Sequence, residues 1–413
     1  MTNIGNNMNK HYPWLIASIA CIALLVSNGM GISGLSVFDE SLIKEFGWSR
    51  GELKFRDMVT FATSALLAPF GGMIIDKIGA KRALLMGWVL LATAYFSYSQ
   101  IDSLQGLYVV HALLGLVLIL CGLNPAVILV SNWFTSKRGA AIGITLVGTS
   151  LGGVLFPQYG LYMNELFGWR ETMQWAVAFP LTMLIVVAVL VKDRPSQMKQ
   201  KANQTAEQSK PQPLTGMSYL DALRTRTFWA LTLVAMTTFY TVLGVQAHLF
   251  LYMRDLGFET STAANAISLF FMCALIGKFV FGFVADHIHF KKVFIGNIAI
   301  MLTGSLLLAL MNKAVLWEAI VLFGLGWGGV YTTIQLSAVN CFGLKSAGKI
   351  LGTITVLDCL GGGLGIWLTG VFYGMNSSYD LAFWVFFGLI LIAIPCITQV
   401  KETAYTKLSK TAA

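Results

Sequence analysis

Charged side chains are scarce in this sequence. Asp, Glu, Lys and Arg make up 11% of the 413 residues, whereas apolar residues make up 56% and the mean hydropathy is +0.71. Soluble domains carry about 25% charged residues, and a chain with half that share cannot cover a water-facing surface. The scarcity of charge excludes an ordinary soluble protein and predicts a chain whose main solvent is the lipid bilayer.

Motifs for metal binding, ATP hydrolysis and covalent catalysis are missing as well. The six cysteines lie apart inside apolar stretches and none has C-x-x-C spacing, so neither a disulfide framework nor a zinc site is predicted. The sequence contains no G-x-x-x-x-G-K-[ST] motif, no cluster with metal-ligand spacing and no nucleophile motif. We therefore expect no cofactor, no metal and no enzymatic activity.

What the sequence does contain is a series of apolar stretches of about 20 residues or more, each long enough for a transmembrane helix. They lie near 13–38, 53–76, 82–101, 105–131, 139–163, 168–191, 227–253, 261–286, 292–311, 315–338, 347–374 and 379–400. The first stretch has no small-residue cleavage site and is interpreted as a retained helix. The predicted fold is an all-α membrane protein of twelve transmembrane helices in two pseudo-symmetric six-helix bundles.

A single long polar stretch, 192–226, divides the predicted helices into two blocks. It is rich in Lys, Gln and Pro, as expected for a flexible linker. The predicted domains are an N-terminal bundle (1–191), a cytoplasmic linker (192–226) and a C-terminal bundle with a short tail (227–413).

The basic residues predict the orientation. With both termini in the cytoplasm, 20 of the 28 Lys and Arg lie on the cytoplasmic side, as the positive-inside rule requires. The net charge of +9 is therefore a topology signal and does not indicate a nucleic-acid partner. We expect a multi-pass protein of the inner (cytoplasmic) membrane, and a monomer.

The two blocks repeat each other. The segment Gly72-Met-Ile-Ile-Asp76, followed by Lys-Arg, recurs 210 residues later as Gly282-Phe-Val-Ala-Asp286, followed by Lys-Lys. A second pair, 132–139 and 340–348, follows in the same order at nearly the same offset. Two matches in one order indicate internal duplication, an architecture from which secondary transporters are built, with the substrate site between the halves.

The first copy, GGMIIDKIGAKR (71–82), resembles the signature of the major facilitator superfamily. Three further segments, FGWSRGEL (46–53), NWFTSKRGAAIG (132–143) and HLFLYMRDLGF (248–258), resemble its prokaryotic branch of monocarboxylate porters and the oxalate–formate antiporter. The resemblance implies the major facilitator fold and a gate latch in which Asp76 docks against a helix N-terminus and a basic residue. The residues assigned to this latch are Asp76, Arg82, Arg138 and Asp286. In the second copy His289 replaces Gly79, which predicts a looser turn.

Two ionisable residues lie deep within predicted helices. Lys278 is eight residues before Asp286, or about 12 Å from that helix end, and Asp358 is about 18 Å inside its own helix. Charges at such depth are costly and mark functional sites by default. In the repeat Lys278 aligns with Ala68 and Asp358 with Thr149, so the sister half does not need either charge for folding. The alternative is a static buried salt bridge, which is a weak source of stability.

In the carboxylate porters that this sequence resembles, a cationic residue at the position of Lys278 binds the substrate carboxylate. Here Lys replaces the usual Arg, which removes the bidentate fork but keeps the charge. Asp358 has no counterpart in the oxalate–formate antiporter, whose equivalent helix carries a cation, and this difference argues against a dianionic substrate.

Other polar residues are candidates for completing a pocket or for moving a proton. The substrate-binding candidates besides Lys278 are Asn28, Asn124, Gln158, Tyr240, Gln246, Tyr331 and Gln335. Asp358 and His248 are the proton-coupling candidates. Lys54, Arg56 and Asp57 form a further cluster, interpreted either as an external vestibule or as ordinary loop charges.

The sequence thus predicts a secondary active transporter that moves a small carboxylate-bearing solute with protons by alternating access. An exporter of amphipathic drugs or siderophore-like metabolites is an alternative, although 148–160 lacks the Gly-Pro pattern of antiporting exporters. A non-transporting receptor or sensor is a second alternative, and it would need a signalling domain for which neither the linker nor the tail has room.

Overall fold

A computed structural model of the protein describes residues 3–134, 137–192, 216–343 and 345–401, without the side chains of 3–10 and Asp76. In these ranges the chain is almost entirely helical, and its one extended pairing there is an isolated bridge between Gly216 and Gly343. The helices before the linker are α1 (Asn3–Asn28), α2 (Asp39–Phe46), α3 (Arg50–Ile78), α4 (Ala80–Tyr98), α5 (Leu104–Leu120), α6 (Leu123–Ser131), α7 (Arg138–Phe167), α8 (Trp169–Ala176) and α9 (Ala178–Leu190). Those after it are α10 (Tyr219–Leu223), α11 (Arg226–Asp255), α12 (Thr260–His287), α13 (Phe290–Ala309), α14 (Leu316–Phe342), α15 (Ala347–Asn376) and α16 (Asp380–Gln399).

The helices confirm the predicted class of fold. Eleven segments of the described chain are long and apolar enough to cross a membrane. The remaining predicted stretch, 82–101, forms α4, which is 19 residues long. Its first turn carries Lys81 and Arg82, and these two charges make it less apolar than the others. The protein is a multi-pass α-helical membrane protein.

The chain forms two compact units. The first contains residues 1–41 and 66–210, and the second contains 42–65 and 211–413. Helix α3 contributes to both, because its residues up to Ala65 pack in the second unit and those from Leu66 pack in the first. In the first unit α1 packs along α7, and in the second α11 packs along α15. The first and fifth spans of each half are thus partners, as duplication predicts.

Three local features differ from the predicted boundaries. The first span does not end at Phe38: α1 passes through a π-helical turn (Gly29–Ser33) and a 3-10 turn into α2, which ends at Phe46. The predicted helix 105–131 breaks at Cys121 and Gly122, because the ring of Pro125 conflicts with the carbonyl four residues earlier. The predicted linker ends in a helical turn, α10, capped by the Ser218 side chain.

The two copies of the signature turn have different backbones. Gly79 links α3 to α4 with a φ of 86°, a conformation that favours glycine. In the second copy two residues, Ile288 and His289, separate α12 from α13. His289 has a φ of −53°, and its side chain accepts a hydrogen bond from the backbone N–H of Lys291. The second turn is one residue longer, and an imidazole cap replaces the left-handed glycine.

Candidate functional site

Lys278 lies on α12 and faces the aromatic ring of Tyr331 on α14. Its Nζ is 5.8 Å from the centroid of that ring. A cation at this distance from a ring face is attracted by the π electrons, and the attraction grows when water is excluded. Lys278 is half-buried, so the protein keeps this ammonium group partly inside the second unit.

Asp358, on α15, approaches the same tyrosine. The carboxyl group is 6% exposed, and its Oδ1 has no hydrogen-bond partner in the described part of the chain. It interacts with the thiol and the backbone N–H of Cys359, and its charge acts on Tyr331. Tyr331 is also hydrogen-bonded to Gln335. Four predicted site residues therefore converge, and we name Lys278, Tyr331, Gln335 and Asp358 the Lys278 cluster.

Close packing of α12 on α14 sets the position of this cluster. A Cβ at Gly277 would collide with the carbonyl oxygen of Leu325, and one at Gly328 would collide with that of Ala274. Because each glycine lets the opposite backbone approach, Lys278 and Tyr331 face each other over a short gap. On α15, Gly365 meets the backbone of Tyr240 on α11 in the same way. These glycines thus allow the close approach of α12 to α14 and of α11 to α15.

An aromatic wall continues from the cluster along α14. Trp327 lies one helical turn before Tyr331, on the same face. Its ring stacks on Phe270 with centroids 5.2 Å apart and meets Phe271 edge to face at 5.3 Å. Since Phe270 and Phe271 belong to α12, the two helices that hold Lys278 and Tyr331 also build an apolar surface next to them.

The remaining pocket candidates lie elsewhere. In the second unit, Tyr240 packs its ring against Phe386, 6.0 Å away, and Gln246 is buried in α11. In the first unit, Asn28 ends α1, Asn124 is exposed in the first turn of α6, and Gln158 is half-buried in α7. Their assignment to substrate binding stays a prediction.

The signature residues occupy helix ends. Arg82 is exposed in α4, Arg138 is the exposed first residue of α7, and Asp286 is exposed near the end of α12. Asp76 lies in the last turn of α3, but its side chain is outside the described part of the structure. The gate latch stays a prediction from the motif.

His248 is buried in α11 with both ring nitrogens engaged. Nδ1 lies 3.0 Å from the Tyr379 hydroxyl, and Nε2 lies 2.9 Å from the carbonyl oxygen of Ile366. The Tyr379 hydroxyl also accepts a hydrogen bond from Arg50, which is paired with Asp255. His248 is therefore part of a network that joins α3, α11, α15 and the turn before α16.

The charges beside Arg50 are not ordinary loop charges. Lys54 is 1% exposed and donates to the carbonyl oxygen of Ala247, while Arg56 is fully buried with its Nε 3.6 Å from Asp57. The interpretation as loop charges is wrong, because α3 begins at Arg50 and carries these residues into the packed second unit.

Three members of the network around His248 were not predicted from the sequence: Arg50, Asp255 and Tyr379. Arg50 and Asp255 lie in two different predicted loops, 205 positions apart, and a long-range ion pair leaves no local pattern. One signal was available. Arg50 and Lys54 are four residues apart and therefore lie on one face of a helix, which groups the two cations.

Comparison with known proteins shows to which family this architecture belongs. The family model described as Major Facilitator Superfamily matches residues 19–366, most of the chain. The chain belongs to the Major Facilitator Superfamily. Superfamily members are transporters, which agrees with the expectation that the chain is not an enzyme.

Several superfamily proteins resemble this one over most of their length. An uncharacterized MFS-type transporter of Escherichia coli, YhjX, is 24% identical over 70% of this chain and 71% of its own. Monocarboxylate transporter 13 of Bos taurus is 24% identical over 92% of this chain and 87% of its own. Monocarboxylate transporter 2 of Homo sapiens is 21% identical over 89% of this chain and 81% of its own.

Solved superfamily structures share the fold. A bacterial homologue of the human lysosomal transporter Spinster, in an inward-facing and occupied conformation, superimposes with a TM-score of 0.70 at 15% identity. The match covers 94% of this chain and 96% of that one. The protein is thus a membrane transporter of the Major Facilitator Superfamily that acts on a small molecule.

Proposed function

We propose that the protein is a proton-coupled secondary transporter of the inner membrane that moves a small carboxylate-bearing solute by alternating access. Both termini lie in the cytoplasm, and the transporter works as a monomer. The observation that carries the proposal is the Lys278 cluster, where a cation and a carboxyl group meet the same tyrosine.

In this proposal Lys278 holds the substrate carboxylate. An ammonium group forms charge-assisted hydrogen bonds to a carboxylate, and these are about twice as strong as neutral ones. The aromatic wall of Trp327, Phe270 and Phe271 accommodates the apolar body of the solute. The names of two relatives, monocarboxylate transporters 13 and 2, agree with this substrate class.

Asp358 takes the coupling proton. An ionised carboxylate that is buried without a full set of partners costs several kcal/mol, and a bound proton removes that cost. Its Oδ1 has no partner in the described residues. A proton on Asp358 also removes a negative charge that acts on Tyr331, and this favours binding of an anionic substrate beside that tyrosine.

The proposal can be tested by thermal stability and uptake. Purified protein is screened against lactate, pyruvate, acetate and oxalate, with lactamide as the uncharged control. A ligand that binds the folded state stabilises it, by about 2.7 kcal/mol at a hundred times its Kd. We expect stabilisation by one or more monocarboxylates and none by lactamide, together with acid-driven uptake of the same compounds into proteoliposomes. Stabilisation only by uncharged or cationic compounds would reject the substrate class.

A further inference from the structure

The guanidinium group of Arg50, at the start of α3, contacts three other elements of the second unit. Arg50 forms a two-pronged ion pair with Asp255, Nη1 to Oδ2 and Nη2 to Oδ1 both at 2.6 Å. Its Cζ lies 3.7 Å from the centroid of the Tyr373 ring, and its Nη1 donates to the Tyr379 hydroxyl at 2.7 Å. Bidentate pairing and a cation–π contact are among the strongest interactions available to arginine. They bind α3 to α11, to α15 and to the turn before α16.

The hydrogen bonds of His248 define which protonation state this arrangement requires. The Ile366 carbonyl only accepts, so Nε2 of His248 carries a proton. The Tyr379 oxygen accepts from Arg50, and its O–H is free to donate to Nδ1. A neutral His248 with an unprotonated Nδ1 satisfies every contact. A protonated Nδ1 would turn from acceptor to donor and leave the Tyr379 O–H without its acceptor.

Three cations of α3 lie near the His248 imidazole. Lys54, Arg50 and Arg56 of α3 act on the imidazole, and the negative charge of Asp255 is engaged by Arg50. From the other elements His248 meets the Ile366 carbonyl of α15 and the Tyr379 hydroxyl before α16. A positive charge on the imidazole would be repelled by these three cations for as long as the start of α3 packs here.

We infer that Arg50, Asp255, Tyr379 and His248 form a latch at the end of α11 remote from the linker, and that the latch closes only on a neutral His248. We call these four residues the Arg50 latch. In this proposal the start of α3 leaves α11 and α15 once per transport cycle. A proton that binds the released His248 delays closure of the latch. Acid on the side of the membrane remote from the linker therefore favours the state in which the latch is open. The inference rests on the proposed transport cycle but not on the identity of the substrate.

A disulfide across the latch reports its closure without any substrate. A Cβ at Gly51, next to Arg50, would lie 3.5 Å from Cα of Val371 on α15. Cysteines at both positions are within disulfide reach when the latch is closed. The double variant Gly51→Cys/Val371→Cys also carries a protease site in the 192–226 linker. After cleavage at that site, the two halves of the chain separate on a denaturing gel unless the disulfide joins them. Oxidation should join the halves and, for any solute that the protein carries, stop uptake until reductant is added.

The pH dependence of the cross-link tests the role of His248. Between about pH 8 and pH 5 the yield should fall, because the ratio of latched to released protein changes by up to about tenfold per pH unit below the ordinary histidine pKa of about 6.5. The same cysteine pair with His248→Gln corrects for the slower thiol oxidation in acid, and its yield should fall less. Asp255→Asn should lower the yield at every pH, whereas Asp380→Asn, an exposed carboxylate beside Tyr379, should not.

Two results would overturn the inference. One is a cysteine pair that fails to cross-link at pH 8 in protein that elutes as folded monomer. The other is an identical pH profile with and without His248. If His248→Gln misfolds, Tyr379→Phe is used instead, because loss of the hydroxyl removes the hydrogen bonds of Tyr379 to Arg50 and to His248. An unchanged pH profile in Tyr379→Phe also rejects the latch. Failure of the carboxylate proposal would leave these cross-linking results unaffected.

Discussion

Lys278 and Tyr331 meet across α12 and α14, with the ammonium nitrogen 5.8 Å from the ring centroid. The carboxyl group of Asp358 is buried, and its charge acts on the same tyrosine. An ammonium, a phenol and a carboxyl group in one place provide a cation for an anionic substrate and an acid for a proton. Substitutions at these residues distinguish a working site from a purely structural one.

Replacing Lys278 should weaken carboxylate binding. Lys278→Met removes a charged hydrogen-bond donor worth about 1.5–3 kcal/mol, which corresponds to a loss of affinity on the order of tenfold to a hundredfold. Lys278→Arg keeps the charge and should retain binding. Calorimetry with a carboxylate that stabilises the native protein measures both, and Lys292→Met, which removes an exposed lysine, serves as control. Equal affinity in Lys278→Met and native protein would remove Lys278 from the site.

A double variant tests whether Lys278 and Asp358 merely stabilise each other. If they do, Lys278→Met alone is destabilising by about 3–5 kcal/mol, and adding Asp358→Leu restores both stability and transport. If they form the site, the double variant is stable but does not transport, because it has neither the cation nor the acid. Thermal unfolding and uptake are measured on the same preparations. Normal uptake with normal pH dependence in the double variant would disprove both assignments.

The signature motif predicts that Asp76 stabilises the state closed to the cytoplasm. Asp76→Asn should slow turnover and raise the labelling of thiols on the cytoplasmic side, while the protein remains folded. Asp102→Asn, an exposed loop carboxylate, is the matched control and should behave like native protein. Unchanged turnover in well-expressed Asp76→Asn protein would reduce Asp76 to a solvated charge.

The distribution of basic residues predicts the side on which the linker lies. A cysteine introduced between 192 and 226 should react with a membrane-impermeant maleimide only after the cells are opened. A cysteine replacing exposed Asp102, between α4 and α5, should react in intact cells. Labelling of the linker from outside would reverse the orientation and, with it, the side on which the Arg50 latch opens.

Hydropathy and repetition were sufficient to predict the fold. Spans such as 227–253 and 347–374 are within four residues of α11 and α15, because a bilayer requires a long apolar helix and leaves little freedom in its length. The break before α6 was missed, since Cys121 and Gly122 are compatible with a helix and the conflict arises only from Pro125. Proline alone does not decide the outcome, because Pro69 and Pro157 lie inside unbroken helices.

The candidate site was predictable only in part. Lys278 and Asp358 are conspicuous because ionisable residues are rare inside apolar helices. Their convergence on Tyr331 could not be read from sequence, since it depends on how closely α12 and α14 approach through Gly277 and Gly328. The Arg50 latch was missed for a similar reason: Arg50 and Asp255 belong to separate helices, and each by itself resembles an interfacial charge.

Proton coupling through Asp358 is the central claim, and Asp358→Asn tests it most directly because the amide keeps the size of the side chain but cannot ionise. A gradient of about one pH unit is worth about 1.4 kcal/mol per proton, enough for about tenfold accumulation. Native protein in proteoliposomes should show both this accumulation and exchange of labelled for unlabelled carboxylate. We predict that Asp358→Asn retains exchange and loses the accumulation driven by pH. Accumulation by Asp358→Asn equal to that of the native protein would contradict the account.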